Sequence, residues 1–175
     1  MICFDEFGPL EIRPHAGTSW HRRQHPVRLP ATYTRTQGTR YLLAAYDIHS
    51  DELWGWQRPN QRWPQVLAFF KAVRDRYPKN VRLYIILDNR GSHKKAEIKR
   101  WAKKNRVTLV FTPTYASWLN RIEAHFAALK KFALRGRTFM DHKEQGEAIQ
   151  AYLRYRNKHK LKGQSDHRDQ RVNLI

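Results

Sequence analysis

Hydrophobic and polar positions follow two different periods along the chain, and these periods predict an ordered series of strands and helices. Five segments have the apolar composition of strands: 2–4, 39–48, 52–57, 81–88 and 107–113. The first is a short run that ends at Asp5, so this residue is expected to follow a strand. The second and third are separated by the polar turn 49–51 and predict a hairpin. The fourth is a continuous apolar run, which is typical of a buried strand.

Apolar residues recur at helical spacing in four other segments. These segments are 61–78, 92–105, 117–136 and 142–160. Ser92 is a candidate N-cap for the second helix, and Trp118 and Leu119 belong to the predicted apolar face of the third. Alternation of strand, helix and strand in the second half predicts right-handed parallel crossovers, whereas the hairpin predicts an antiparallel pair. The sequence therefore predicts an α/β fold, with a mixed five-stranded sheet and helices on both faces.

The charge of the chain points to a polyanionic partner. The 175 residues include 34 Lys and Arg against 15 Asp and Glu, a formal net charge of +19. Such a charge repels itself in a compact protein unless a polyanion neutralises it, and nucleic acid is the commonest polyanion. A basic protein with no such role, or a ribosome-associated one, stays open as an alternative. The only cysteine is Cys3, and no apolar run is long enough to cross a membrane. We therefore expect a cytoplasmic protein without a membrane partner.

Basic residues concentrate around the two segments that carry the candidate chemistry. Eight of them are predicted DNA-binding residues: Arg90, Lys94, Lys95, Arg100, Lys130, Lys131, Arg135 and Arg137. Contacts of this kind with phosphates supply affinity and salt dependence but little choice of sequence. For any single lysine, a solvated helix face is the simpler interpretation. For the whole set that interpretation is weaker, because opposing acids are few.

Three carboxylates stand out in this acid-poor chain. Asp5 follows the first predicted strand, Asp88 ends the strand 81–88, and Glu123 lies one turn into an amphipathic helix. In a mixed sheet, two strand ends and a nearby helix can bring such groups together, where they repel one another unless a hard cation lies between them. Magnesium is the expected ion. Two such ions could activate the nucleophile that attacks a phosphodiester and stabilise the oxygen that leaves it.

Each carboxylate also has a purely structural interpretation. Asp5 could be an ordinary turn residue, and the segment 88–91 has the composition of a turn. Asn120 and Glu123 have the spacing of a helix capping box with Asn in place of Ser or Thr. The pattern of residues alone leaves these alternatives open.

The motifs around the three carboxylates resemble those of a known family. The stretches LDNRGSH, TPTYASWLNRIEAHFAALKKF and RTF resemble the catalytic domain of the DDE transposases, in the bacterial insertion-sequence branch of the mariner-type superfamily. In that family an aspartate ends a strand, and a glutamate follows after 34 residues. The same number separates Asp88 from Glu123 here. The first aspartate of the family stands in a short "DE" motif, which Asp5 and Glu6 match.

This resemblance implies an RNase H-like fold and a reaction on DNA. The expected reaction is magnesium-dependent DNA strand cleavage followed by strand transfer, with Mn²⁺ able to substitute. The implied catalytic and metal-binding residues are Asp5, Asp88 and Glu123, and the implied neighbours of the site are Asn89, His93 and Asn120. For His93, a polar position at the start of a helix is an equally simple interpretation. The implied partners are double-stranded DNA, as transposon ends and target, and a second copy in a homodimer. We expect a bacterial protein that associates with the nucleoid when it binds DNA.

The chain also departs from the family pattern. Relatives carry a helix-turn-helix region before the first catalytic strand, whereas this chain begins at that strand, and Arg121 stands where many relatives have proline. We expect a catalytic domain at 1–160 and an irregular basic tail at 161–175. Two alternatives follow. The chain could be a non-catalytic DNA-binding remnant of a truncated transposase, or a stand-alone nuclease that cuts without strand transfer.

Overall fold

A computed structural model of the chain describes residues 1–15, 17, 24–25, 28, 37–114 and 117–160. Within them lie five strands: β1 (Ile2–Glu11), β2 (Thr39–Asp47), β3 (Glu52–Arg58), β4 (Leu83–Leu87) and β5 (Val107–Phe111). The α-helices are α1 (Trp63–Asp75), α2 (Ala96–Lys104), α3 (Glu123–Leu129) and α4 (His142–Lys158). A 3₁₀ turn, Ser117–Leu119, precedes α3, and a π-helical turn, Lys130–Leu134, continues it. The predicted tail at 161–175 and much of the basic segment between β1 and β2 lie outside the described residues.

The five strands form one mixed sheet in the order β3-β2-β1-β4-β5. β1 pairs antiparallel with β2, and β2 pairs antiparallel with β3. β4 is parallel to both β1 and β5, and helices α1 and α2 occur in the connections that lead to β4 and β5. The prediction of a mixed sheet with an antiparallel hairpin and parallel crossovers is confirmed.

Helices cover both faces of this sheet, as the sequence predicts. Alternate residues of β1 separate the two cores: Phe4 packs with α1 and α2, whereas Cys3 packs with α3 and α4. In β2, Leu43 and Leu42 are divided in the same way. A strand buried on both faces needs apolar side chains at successive positions, which explains the unbroken apolar runs that open β1 and fill β2.

The first strand is longer than the sequence predicts. It extends through Asp5 to Glu11 because β2 continues to pair with it, with a shift of register between Phe7 and Leu10. The prediction that Asp5 follows the strand is therefore wrong. On its other side, β1 pairs with β4 only at Ile2 and Cys3. Asp5 thus lies within a strand, at the level where its parallel neighbour has ended.

Two predicted helices are shorter than their apolar patterns suggest. Helix α2 begins at Ala96, and Ser92 lies in the preceding turn instead of capping the helix. That turn directs His93 inward, where its ring meets Phe4 at 5.4 Å between centroids. The segment 117–136 is divided into a 3₁₀ turn, α3 and the π-helical turn, so Trp118 is exposed and does not join the core.

One buried cation fixes the end of α1. The guanidinium of Arg74 is fully buried and donates five hydrogen bonds to backbone carbonyls, at 2.8–3.2 Å. The acceptors belong to Tyr77, Pro78, Lys79, Val81 and Asn105. Because the loop 77–81 leads directly into β4, this side chain helps to fix where β4 begins. No helix among the described residues is long and apolar enough to cross a membrane.

Candidate active site

The three predicted carboxylates lie at one end of the sheet. Asp5 is in β1, Asp88 directly follows β4, and Glu123 is the first residue of α3. The pairing of Ile2 with Ile85 and of Cys3 with Ile86 brings Asp5 level with Asp88. Strand alternation places Asp5 on the face of the sheet that α3 covers, because Cys3 two residues earlier packs there. The structure therefore brings together the three residues that the sequence singles out.

The electrostatics of Asp5 show how close the acidic groups are. Burial raises the pKa of Asp5 to about 7, and the charges of Glu123, Glu6 and Asp88 add to the rise. The backbone N–H of Glu6, which donates to Asp5 Oδ1 at 2.8 Å, only partly opposes it. A carboxyl group that is half protonated near neutral pH lacks a compensating cation. Its surroundings therefore favour a positively charged ligand.

Asn120 joins the helical side of the site to β1. Its side chain is almost completely buried, and its Nδ2 donates to the carbonyl of Phe4 at 2.8 Å and to Asp5 Oδ2 at 3.4 Å. Its Oδ1 is buried with no hydrogen-bond partner in the described part of the chain. The capping-box alternative for Asn120 and Glu123 is wrong, since neither side chain caps α3. Asn120 instead holds the start of α3 against Asp5.

On the opposite face of β1, a buried chain of ionic contacts supports Asp88. The Nδ1 of His93 lies 2.7 Å from Asp88 Oδ1, and its Nε2 lies 2.9 Å from Glu6 Oε1. Glu6 Oε2 accepts from Arg90 Nη1 at 3.0 Å, and the same nitrogen donates to Gln61 at 2.8 Å. His93 therefore connects the acidic residue after β4 to the acidic residue next to Asp5.

The charge of His93 follows from these neighbours. Burial alone would lower the pKa of the imidazole, but the hydrogen bond to Glu6 and the charges of Glu6 and Asp88 outweigh burial and raise it. A protonated imidazole donates from both nitrogens and so can hold both carboxylates in place. His93 is completely buried against Asp88 and Glu6, in the turn that precedes α2.

The loop after β4 is both a turn and a support for the site. Asp88 Oδ1 accepts the backbone N–H of Arg90 at 3.2 Å, as expected for an aspartate that shapes a turn. Asn89 donates from its side chain to the carbonyl of Thr112, just beyond β5. The structural interpretation of 88–91 as a turn therefore agrees with the contact between Asp88 and Arg90. Asn89 fixes the loop and does not reach the other carboxylates through any described hydrogen bond.

The eight predicted DNA-binding residues are all exposed, but their surroundings differ. Arg90 is held by Glu6, and Arg100 lies 3.7 Å from Glu97 on the same helix. Lys131 lies over the ring of Phe132. Lys130 and Lys131 belong to the π-helical turn, and Arg135 and Arg137 follow it. Arg90 thus also contributes to the acidic network, which the sequence did not suggest.

Glu6 is the residue that sequence reasoning missed. It was noted only as the second letter of the "DE" motif, yet its side chain is 1% exposed and contacts both His93 and Arg90. The available signal was strand alternation: a strand that continues beyond Asp5 must direct Glu6 to the opposite face, toward the helix start that carries His93. Because the predicted strand ended at Asp5, Glu6 was not predicted to lie on that face.

The oxygen donors at this end of the sheet differ from a compact metal cluster but match the preference of a divalent cation. Among the described residues, no three His, Cys, Asp or Glu side chains are gathered tightly enough to form a finished metal cluster. The groups present nevertheless suit a hard cation, because they are oxygen donors and the charges of Glu123, Glu6 and Asp88 add to the rise that burial causes in the pKa of Asp5. The unpartnered Oδ1 of Asn120 is a further oxygen acceptor beside Asp5.

Comparisons with known proteins agree with this architecture. Residues 1–145 match the family described as DDE superfamily endonuclease. The insertion element IS630 uncharacterized 39 kDa protein of Shigella sonnei is 25% identical over 134 residues, which cover 73% of this chain and 37% of that protein. The chain therefore spans well under half the length of this relative.

Solved transposase structures share the fold. A Mos1 transposase paired-end complex with the left transposon end superposes with a TM-score of 0.63 at 15% identity, over 87% of this chain and 47% of that chain. A Mos1 mariner paired-end complex with Mn gives a TM-score of 0.64 at 15% identity, over 91% of this chain and 52% of that one. The predicted RNase H-like fold and the family resemblance are confirmed.

Proposed function

The chain belongs to the DDE superfamily endonucleases, and from this premise we propose that it is the catalytic domain of a DNA transposase. Its reaction would be metal-dependent DNA strand cleavage followed by strand transfer. The observation that carries the proposal is the placement of Asp5, Asp88 and Glu123 at one end of the sheet, where burial and, to a lesser degree, the neighbouring acidic charges raise the pKa of Asp5 to about 7. Acidic groups in such an arrangement favour the binding of a cation, which would lower the pKa of Asp5 again.

The proposed metal ligands are the three carboxylates Asp5, Asp88 and Glu123. When bound, two magnesium ions would supply Lewis-acid stabilisation of the negative charge that develops on the phosphodiester oxygens, and manganese could replace them. A solved neighbour, the Mos1 mariner paired-end complex, is described with Mn. Glu123 is exposed and begins a helix, so it can approach DNA and metal from the solvent side.

Other residues would position these ligands. His93, fixed between Glu6 and Asp88, restrains the Asp88 carboxylate, and Asn120 restrains Asp5 from the side of α3. Hydrogen bonds of this kind set the orientation and basicity of a ligating group. None of these residues needs to contact DNA. Their role is to keep the carboxylates in place when like charges would otherwise separate them.

The proposed partner is double-stranded DNA, as transposon ends and as target. Support comes from the net charge of +19 and from solved neighbours that are transposase complexes with a transposon end. The exposed cations after α3 and around α2 would contact phosphates. We also propose a homodimer. Strand transfer joins transposon ends to target DNA, and two copies of the protein could hold these DNA segments together.

The proposal is tested with a labelled DNA duplex that carries the ends of the insertion element, incubated with Mg²⁺ or Mn²⁺. We expect cleavage by the wild type and a loss of about a thousandfold or more in Asp88→Asn and Glu123→Gln, with the fold retained. Asp75→Asn is the matched control, since Asp75 is an exposed acid on α1 whose one ion pair within the described part of the chain is with Lys79. Full cleavage by Asp88→Asn would contradict the proposed site.

The products separate this proposal from the two alternatives. Joined strands indicate a transposase, and cleavage without joining and without preference for the ends indicates a stand-alone nuclease. If the wild type binds the duplex but cleaves nothing with either metal, the chain is a DNA-binding remnant.

A further inference from the structure

A second concave surface lies beside the candidate active site. It is a groove of about 790 Å³ between α4, the π-helical turn and the hairpin of β2 and β3. Its walls include Phe132, Tyr152 and Tyr155, with Tyr46 and His125 at one end. We call it the aromatic groove. No role proposed above uses it.

The aromatic groove is continuous with the candidate active site. Tyr46 and His125 also line a smaller hollow of about 330 Å³ that contains Glu123. The same hollow is bordered by Trp118 and Arg121, both of which are exposed. A strand that leaves the neighbourhood of Glu123 could therefore pass His125 and enter the aromatic groove without crossing the core.

Two of its aromatic rings are exposed although each is held in place by another ring. Phe132 is 59% exposed and stacks on Tyr152, with 12° between the ring planes. Tyr155 is 64% exposed and stacks on His159, with centroids 4.1 Å apart. Exposed apolar surface that is contiguous marks interaction sites, and these rings line one groove. Exposed rings that neighbouring rings hold in place are suitable platforms for planar ligands.

The charges around the aromatic groove favour an anionic ligand. Arg156 is bound to Asp51, and Lys160 lies 3.4 Å from Glu52. Arg137, at the edge of the groove, and Lys131, over the Phe132 ring at 5.4 Å, have no ion pair among the described residues. The acids of the groove are thus already paired, while cations remain beside the exposed rings.

We propose that the aromatic groove binds an unpaired DNA strand, with bases stacked on Tyr155 and Phe132 and phosphates near Arg137 and Lys131. Stacking platforms combined with a basic path are the general means by which proteins hold single strands without reading their sequence. The proposal deepens the proposed function and rests on it only for the position of the scissile phosphate near Glu123. It assigns the groove to the strand that is released when the duplex is cut.

The test measures single-strand binding directly and does not require cleavage. The probe is a fluorescein-labelled thymidine strand of about 12 nucleotides, matched to typical single-strand site sizes. Its binding is followed by fluorescence anisotropy in EDTA, so that no metal-dependent reaction contributes. The variants are the double substitution Phe132→Ala with Tyr155→Ala, and the conservative Tyr155→Phe. Tyr84→Ala is the matched control, because Tyr84 is an exposed aromatic residue of β4 outside the groove.

We expect the double variant to bind the single strand at least about tenfold more weakly, since loss of base stacking at each ring weakens binding several-fold or more. Tyr155→Phe keeps the ring and Tyr84→Ala leaves the groove intact, so both should stay within about twofold of the wild type. Because both groove rings are exposed, thermal unfolding of the double variant should stay close to that of the wild type.

An unchanged single-strand affinity in the double variant would overturn the proposal. If the sedimentation coefficient of that variant also changes, the groove is a contact between protein copies instead. Failure of the duplex cleavage assay would leave the anisotropy result unaffected, so the two proposals fail separately.

Discussion

Arg74 and Asp5 are both charged side chains that the fold removes from water, but their surroundings differ. The guanidinium of Arg74 is enclosed by five backbone carbonyl oxygens, and each of its three nitrogens donates to at least one of them. Asp5 receives the N–H of Glu6 and a long contact from Asn120, while other carboxylates surround it. A buried charge that is well hydrogen-bonded stabilises the fold, whereas a carboxylate among like charges favours a bound cation. The comparison therefore separates a satisfied polar site from an unsatisfied one.

The largest effect on stability is expected at the satisfied charge. Arg74→Leu leaves several buried carbonyls without donors, and we expect it to lower the free energy of unfolding by about 3 kcal/mol. Denaturant unfolding measures the change. Arg82→Leu is the control, since Arg82 is exposed and its one side-chain hydrogen bond among the described residues is a 3.5 Å contact with Thr108. Equal stability of the two variants would show that the carbonyl contacts of Arg74 contribute little.

The unsatisfied charge should produce a dependence on pH. Because the pKa of Asp5 in the fold is about 7, above the ordinary 3.8, the folded protein holds a proton that the unfolded chain releases. Its contribution to stability is complete below pH 3.8 and is lost as the pH rises through 7. In EDTA, the wild type should therefore lose about 1 to 2 kcal/mol between pH 5.5 and 8.5.

Asp5→Asn isolates this contribution. The variant should lose most of the pH dependence and be more stable than the wild type at pH 8.5. The raised pKa of His93 acts in the same direction, since its contribution is present below the ordinary 6.5 and is lost above its raised value, so some dependence should remain. Thermal unfolding at the two pH values provides the measurement. A wild type equally stable at both would argue against repulsion among these acids.

The smallest expected effect concerns the residues behind the ligands. Glu6→Gln weakens the restraint on His93 without removing any of the three proposed ligands. We expect about tenfold weaker Mg²⁺ binding and a similar loss of cleavage rate. Glu147→Gln, on the exposed side of α4, is the matched control. Unchanged metal affinity in Glu6→Gln would assign the buried network a purely structural role.

The sequence predicted the elements whose signals are local. The apolar run before Asp88 identifies a strand, and its alternation with helices indicates parallel crossovers in a mixed sheet. Contacts between segments that are distant in the sequence were harder to predict. The length of β1 depends on pairing with β2 beyond Asp5, which the period of β1 alone does not show. The contact between Glu6 and His93 was missed for the same reason, since it depends on the continuation of β1 beyond Asp5 and on a turn that replaces the predicted helix start.

The central claim, that Asp5, Asp88 and Glu123 form a cation site, is tested most directly by calorimetric titration with Mg²⁺ at pH 7. The titration is run in two buffers of different ionisation enthalpy, so that proton release can be measured. Since Asp5 has a pKa of about 7, binding should release about half a proton from it, and less at pH 8.5. Asp88→Asn and Glu123→Gln should abolish the binding. No binding by the wild type, or equal binding by the variants, would contradict the account.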